Sequence, residues 1–406
     1  MAVIRPFRAV RPDAAQAEAV SSVPYDVVST EEARQLASSN PLSFLHVTRS
    51  EIDLPSGTDP YSPQVYAKAA ENFAALKASA PLLTEAEPSL YLYRLRMSGH
   101  EQVGVAGCFS VDEYERDVIK KHERTRRDKE DDRTRHIIEL RAQTGVVFLT
   151  YKASPDVSAI ATAITAATPL YDFTAADGVQ HTIWKTSAKQ SAELMDVFSR
   201  IPALYIAVGH HRAASAARAR AELRARGNVG DSDTFIAVAF PDDQVQILPY
   251  NRVVKDLAAN TPQGFLSALK ERGIPVQDGR PDAPAKRHVS MYLDGKWYDL
   301  DLTEAHPDER SHAAALDVAR LQQHVLEPLL GIGDVRTDKR IDFIGGARGS
   351  AALEAAVDQG RAAVAFAMYP VTIDDLISIS DEGGIMPPKS TWFEPKLRDG
   401  LLIHVI

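Results

Sequence analysis

Only one cysteine, Cys108, occurs in the 406 residues, so an internal disulfide framework and a cysteine-rich zinc site are both excluded. It lies in the apolar stretch VGVAGCFSV and reads as a small buried hydrophobe. No apolar run reaches the ~18 residues that span a bilayer, so no membrane partner is expected. The first residues, MAVIRPFRAVRPDAAQAE, lack the charged-then-apolar layout of a secretory signal, which makes the cytoplasm the expected location. An excess of positive charge is also missing. The formal net charge of −9 argues against broad attraction to nucleic acid, while leaving room for a local basic pocket. No repeat of 20–50 residues and no long low-complexity tract is visible.

What remains is an ordinary globular composition, 45% hydrophobic and 25% charged, long enough for two or three domains. Helical and strand-like patterns alternate throughout, which predicts an α/β to α+β fold of mixed sheets with packed helices. STEEARQLASS carries a Ser29/Thr30 cap, and TPQGFLSALKERG a Thr261 cap, Pro262 in the first turn and Gly273 at its end. SLYLYRLRM and QVGVAGCFSV alternate like paired strands joined through SGHE, and HVSMYLDGKWYDLDL reads as a hairpin turning at Asp294-Gly295. NPLSFLHVTR is expected as a further strand. The most loop-like later stretch is QDGRPDAPAK, and two domains are expected, residues 1–240 and 241–406.

The chemistry concentrates at ALYIAVGHHRAASAARARAEL. A short apolar run suited to a buried strand meets Gly209, then His210, His211 and Arg212, then an alanine-rich helix. Glycine permits a sharp turn, and the alanines leave a slim face for tight packing. Such a corner offers first-turn N–H groups and the positive end of a helix dipole, which suits an anion. Arg212 can add a two-pronged contact to a phosphate oxygen, and the histidines can donate hydrogen bonds. No metal site is expected here, because adjacent histidines point apart and no nearby carboxylate shows ligand spacing.

This corner resembles the Asp-Gly-His-His-Arg motif of the ParB/sulfiredoxin superfamily, notably its free serine kinases. The resemblance implies a ParB/sulfiredoxin-like nucleotide-binding core, with Gly209, His210, His211 and Arg212 holding the phosphates of ATP or ADP. The chain departs from the pattern at Val208, where the kinases carry aspartate, and at His210, where sulfiredoxins place a reactive cysteine. Over nearly its full length it also resembles the prokaryotic domain of unknown function 1015 family, through IRPFRAVRPD, VPYDVVS, IKKHERT, GHHR, LPYNRVVKDL, RIDFIGG and MPPKSTWFEPKLRDGLLIH.

Phosphoryl transfer to a hydroxyl needs a base, phosphate clamps and usually Mg²⁺. The kinase resemblance implies Glu123, in IKKHERT, as that base, with His122 and Lys121 beside it. His211, whose ordinary pKa lies near neutrality, is an alternative acid/base. The bland alternative for residues 116–135 is a solvated helix, with Glu123/Arg127 and Arg126/Glu130 four apart. Asp26 in PYDVV and Arg252 in LPYNRVV are further candidates, for a carboxylate near the site and a phosphate contact. The resulting expectation is a nucleotide-dependent phosphotransferase acting on a small hydroxylated metabolite, with Mg²⁺; the kinase resemblance names free L-serine as that metabolite. The rival is a non-catalytic nucleotide sensor, which Val208 favours.

Overall fold

A computed structural model describes residues 2–79, 82–227, 230–304 and 311–406. The chain divides into two compact units, Met1–Val245 with Pro395–Ile406, and Gln246–Glu394. No helix of the described residues is long and apolar enough to cross a membrane.

Among the described residues of the first unit, nine strands form one mixed sheet. They are β1 (Ile4–Arg5), β2 (Tyr91–Met97), β3 (His100–Ser110), β4 (Ile119–Lys120), β5 (Val147–Tyr151), β6 (Tyr171–Thr174), β7 (Gln180–Lys185), β8 (Leu204–Val208) and β9 (Thr234–Pro241). Their order is β4-β8-β5-β9-β3-β2-β7-β6, with β1 pairing β3. Two pairings are parallel, β4 with β8 and β5 with β9, and the rest are antiparallel. The β2–β3 hairpin turns on Ser98 (φ 50°) and Gly99 (φ 84°), the two positive angles of a type I′ turn.

The helices of this unit include α1 (Thr30–Ala37), α2 (Pro63–Ser79), α3 (Arg127–Leu140), α4 (Pro155–Thr165), α5 (Ala188–Phe198) and α6 (His210–Ala225). The expected Ser29 cap is present as a full capping box with Glu32. One face of the sheet packs Leu149, Leu204, Ile206 and Phe235 against Val157 and Ile164 of α4, Leu194 and Phe198 of α5, and Ala213 and Ala216 of α6. Ala213 is fully buried and Ala216 nearly so, which is the slim-face packing expected of this helix. Cys108 is buried, also as expected. The C-terminal segment belongs here: His404–Val405 pairs antiparallel with Ala142–Gln143, and Ile403 bridges to Val10.

One local expectation fails and another holds only in part. NPLSFLHVTR forms no strand; Leu45–Thr48 is a helical turn with Phe44 and Val47 fully buried, and the Leu45 amide donates to Ser43 Oγ. The burial of neighbours three apart imposes the helical period on a run too short to declare it. The helix expected over residues 116–135 is present only from Arg127 onward, as α3, and it is partly buried rather than fully solvated. Ile119–Lys120 is instead a strand held in parallel by Leu204–Tyr205, and in place of the expected i,i+4 pairs Arg126 pairs with Asp128 and Glu130 with Arg218.

In the second unit, six strands form a mixed-order antiparallel sheet among the described residues: β10 (Tyr250–Val254), β11 (Val276–Asp278), β12 (His288–Leu293), β13 (Lys296–Asp301), β14 (Ile341–Gly345) and β15 (Val364–Met368), ordered β11-β13-β12-β15-β10-β14. The β12–β13 hairpin turns on Asp294 (φ 48°) and Gly295 (φ 75°), as its sequence predicts. Helix α7 (Pro262–Glu271) starts where expected, with Thr261 Oγ1 accepting from the Gly264 amide at 3.1 Å. Phe265 and Leu269 bury its inner face against Val289, Leu300 and Phe366.

Candidate functional site

Strand β8 carries a bulge against β5 between Ile206 and Val208, one residue before the corner. A bulge bends the strand and re-aims the residues after it, a device common beside functional sites. Gly209 then takes φ 105°, ψ 30°, and a Cβ there would stand 3.4 Å from the Val147 Cα. Glycine is therefore required by the backbone angle, while the approach of β5 alone would admit a β-carbon in ordinary contact. Helix α6 starts at His210 with no side-chain cap.

Helix α3 lies alongside α6 and runs the same way. The Arg126 amide donates to His211 Nε2 at 2.9 Å, Ser215 Oγ donates to the Glu130 carbonyl at 3.2 Å, and Ile137 packs with Ala219 and Leu223. Arg218 bridges to Glu130 and Asp131, offsetting the unfavourable side-by-side alignment of two dipoles. Helix α3 also lacks a side-chain cap. Two N-termini thus reach one end together, each contributing ~0.3–1 kcal/mol toward a bound anion.

His122 and Glu123, far away in sequence, meet this corner because β4 pairs with β8. The His122 amide stands 3.4 Å from His210 Nε2, the two rings meet edge to face at 4.5 Å, and His210 Nδ1 lies 3.9 Å from Glu123 Oε2. With Nε2 accepting, the proton of a neutral His210 sits on Nδ1, facing the carboxylate. Burial drives the His210 pKa well below its ordinary value, reinforced by neighbouring His122, His211 and Lys121, and burial also pushes His122 down to about 4. Both rings are neutral at pH 7. His122 Nδ1 is buried and has no hydrogen-bond partner. Glu123 is exposed, placing an anionic oxygen at the mouth of the corner.

The other candidates fall in different places. His211 is half-buried, and burial lowers its pKa; its Nε2 lone pair is occupied by the Arg126 amide, so it holds the loop between β4 and α3. Arg212 turns inward: Nη2 donates to Asp26 Oδ1 at 2.7 Å, Nη1 to the Val146 carbonyl at 2.8 Å, and the guanidinium lies 5.4 Å from the Tyr25 ring centre. Its Nε is buried without a partner. Asp26 is therefore brought to the corner. Burial opposes its ionisation, yet Arg212 and Lys396 hold its pKa below the ordinary carboxylate value. Lys121 points to the Tyr114 carbonyl at 2.8 Å and to Asp117, over the Tyr114 ring. Arg252 is buried in the second unit, where it donates to the carbonyls of Tyr250 and Lys389, and burial lowers its pKa to about 10.

One participant escaped the sequence pattern. Asp399, fully buried beside Arg212, has its pKa raised to about 7 by burial, with Arg212 opposing and Asp26 reinforcing the rise. Its signal was present in the Arg-Asp-Gly of KLRDGLLIH: Gly400 takes φ 88°, and a Cβ there would meet Phe44 at 2.8 Å. That glycine fixes the turn presenting the aspartate.

A mixed α/β protein with an uncapped, glycine-hinged corner is the class this geometry defines. The chain belongs to the family described as protein of unknown function (DUF1015), whose model matches residues 4–319. No curated protein matches it by sequence. Solved structures similar to it include SbnI with a C-terminal truncation from Staphylococcus aureus (12% identity, TM-score 0.39, 74% of this chain and 87% of that one). A free serine kinase in complex with AMP (12%, 0.36, 74% and 91%) and a conserved hypothetical protein from Pyrococcus furiosus (13%, 0.35, 74% and 95%) are also similar. Likenesses this distant carry no functional argument, which rests on the corner itself.

Proposed function

We propose that the corner binds the phosphates of ATP or ADP and supports phosphoryl transfer to the hydroxyl of a small metabolite. The observation that carries this reading is the meeting of two parallel helix N-termini with the Glu123–His210 pair. The amides of residues 127–128 and 210–212 supply donors for phosphate oxygens. A substrate hydroxyl placed between His210 and Glu123 would accept from Nδ1–H and donate to the carboxylate. As its oxygen forms the new O–P bond, its proton passes to Glu123. The bridging P–O bond breaks, and its electron pair leaves with the nucleotide. His210 contacts the acceptor directly, its Nδ1–H holding the hydroxyl oxygen in front of the Glu123 carboxylate. Arg212 works from behind, tying Asp26 and the Val146 carbonyl to the base of α6 rather than reaching outward.

Mg²⁺ commonly arrives on nucleotide phosphates and takes one or two protein carboxylates. Val208 offers it no oxygen, whereas Asp26 is 40% exposed in its side chain and has a second oxygen beyond the one on Arg212. Asp26 is the residue that would hold it. Bound there, the ion would neutralise charge on the transferring group. Free L-serine is the first acceptor to test, on the strength of the sequence resemblance, and a cytoplasmic location fits a soluble metabolite substrate.

Val208 favours a second reading, a nucleotide sensor that binds without turnover. Phosphorus NMR of the protein with ATP or ADP, Mg²⁺ and a panel of hydroxylated metabolites separates the two. A phosphoester signal that depends on the acceptor supports transfer. Nucleotide broadening without new signals supports the sensor, and neither effect refutes both.

A further inference from the structure

We propose that His122, Glu123 and His210 also form a binding site for a divalent transition-metal ion of the zinc class. Ligand atoms of these three side chains all lie within 4.8 Å of one another. Two imidazoles and one carboxylate are the donor set that such ions take in three-ligand sites with one position open, and imidazole selects them over Mg²⁺ and Ca²⁺. The independent sign is His122 Nδ1, a lone pair buried without a partner inside a side chain 98% hidden from solvent. A buried acceptor left unsatisfied keeps its full desolvation cost, and a cation at the cluster offsets it.

Around an ion with bonds of ~2.0–2.1 Å, ligand atoms stand ~3.4 Å apart, so the cluster must contract. Glu123, exposed on the irregular segment between β4 and α3, supplies most of that movement. Coordination through His210 Nδ1 moves that ring's proton to Nε2. The ring then gives up the 3.4 Å contact from the His122 amide, which is already long for a hydrogen bond. The ring remains neutral and no proton is lost. Sequence spacing concealed this site, because His210 and His211 do diverge and the second imidazole arrives from 88 residues away.

The site shares Glu123 and His210 with the proposed hydroxyl pocket, so the metal would exclude the acceptor hydroxyl. Only this inhibitory consequence rests on the phosphotransfer reading; metal binding stands apart from it. The full chain, stripped with chelator, is titrated with Co²⁺ alone, and the visible absorption of low-symmetry Co²⁺ is followed, then displaced with Zn²⁺. One equivalent is expected to bind, with affinity reduced by ~100-fold in Glu123→Gln, since even outer-shell losses cost 10–100-fold. Glu123 is exposed, so that variant keeps its fold when the buried histidine variants do not. His46→Ala and His312→Ala, which break a half-buried pair with Asp53 and an exposed pair with Glu382, are expected to leave the band intact. No band, or one insensitive to Glu123→Gln, overturns the site. A nucleotide-induced melting shift in the same metal-free protein is read separately. Its presence without a Co²⁺ band sinks the metal site alone, and a Glu123-dependent band without the shift upholds the metal site while refuting the nucleotide reading.

Discussion

The buried carboxylate behind the corner makes a pH-dependent prediction with a fixed sign. Asp399 is 1% exposed and titrates at about 7, against an ordinary value of 3.8, because burial outweighs the attraction of Arg212 while Asp26 adds repulsion. In the unfolded chain it ionises near its ordinary value. From about pH 4 to about pH 7 the native state therefore holds a proton that the unfolded state has released, and stability falls as pH rises through that window. A shift of roughly three units, at ~1.4 kcal/mol each, bounds the effect at about 4 kcal/mol. Asp399→Asn cannot ionise, and an amide oxygen still accepts from the Val146 amide. Relative to the parent, its stability is expected to climb across the window and level off above about pH 7. Asp26→Asn removes the repelling neighbour and leaves Arg212 to Asp399 alone, so it should flatten the parent's slope. Urea midpoints at constant m, measured at several pH values, give the curves. Parallel curves for the parent and Asp399→Asn would refute the argument that Asp399 is protonated in the native protein.

Two further substitutions probe the corner. Gly209→Ala forces a β-carbon to φ 105° and should destabilise the first unit by ~1–2 kcal/mol in denaturant unfolding, while weakening any nucleotide-induced stabilisation. Glu123→Gln should lower the phosphotransfer rate by ~10²–10⁴ with the nucleotide melting shift retained, because the base is lost and the phosphate donors are not. Equal loss of both would assign Glu123 to binding.

Local signals in the sequence led to correct local structure. The Ser29 and Thr261 caps, the Ser98-Gly99 and Asp294-Gly295 turns and the Gly209-to-alanine helix start depend on neighbours within a few residues. The site itself was legible only as fragments. His122 and Glu123 reach His210 through the parallel β4–β8 pairing, and Asp399 reaches Arg212 through the C-terminal segment folded back into the first unit. Neither arrangement has a local signature. Arg212 shows the same divide: its residue type suggested an outward phosphate contact, whereas Asp26 and the Val146 carbonyl draw it inward. The partner that turns it lies 186 residues away.

Amide chemical shifts during an ADP titration, observed by nitrogen-15 NMR of the full chain, test the central claim most directly. The proposed corner predicts saturable downfield shifts at Arg127, Asp128, His210, His211 and Arg212, the first-turn donors of the two helices. Saturable shifts confined to other residues, or no binding at all, would contradict it.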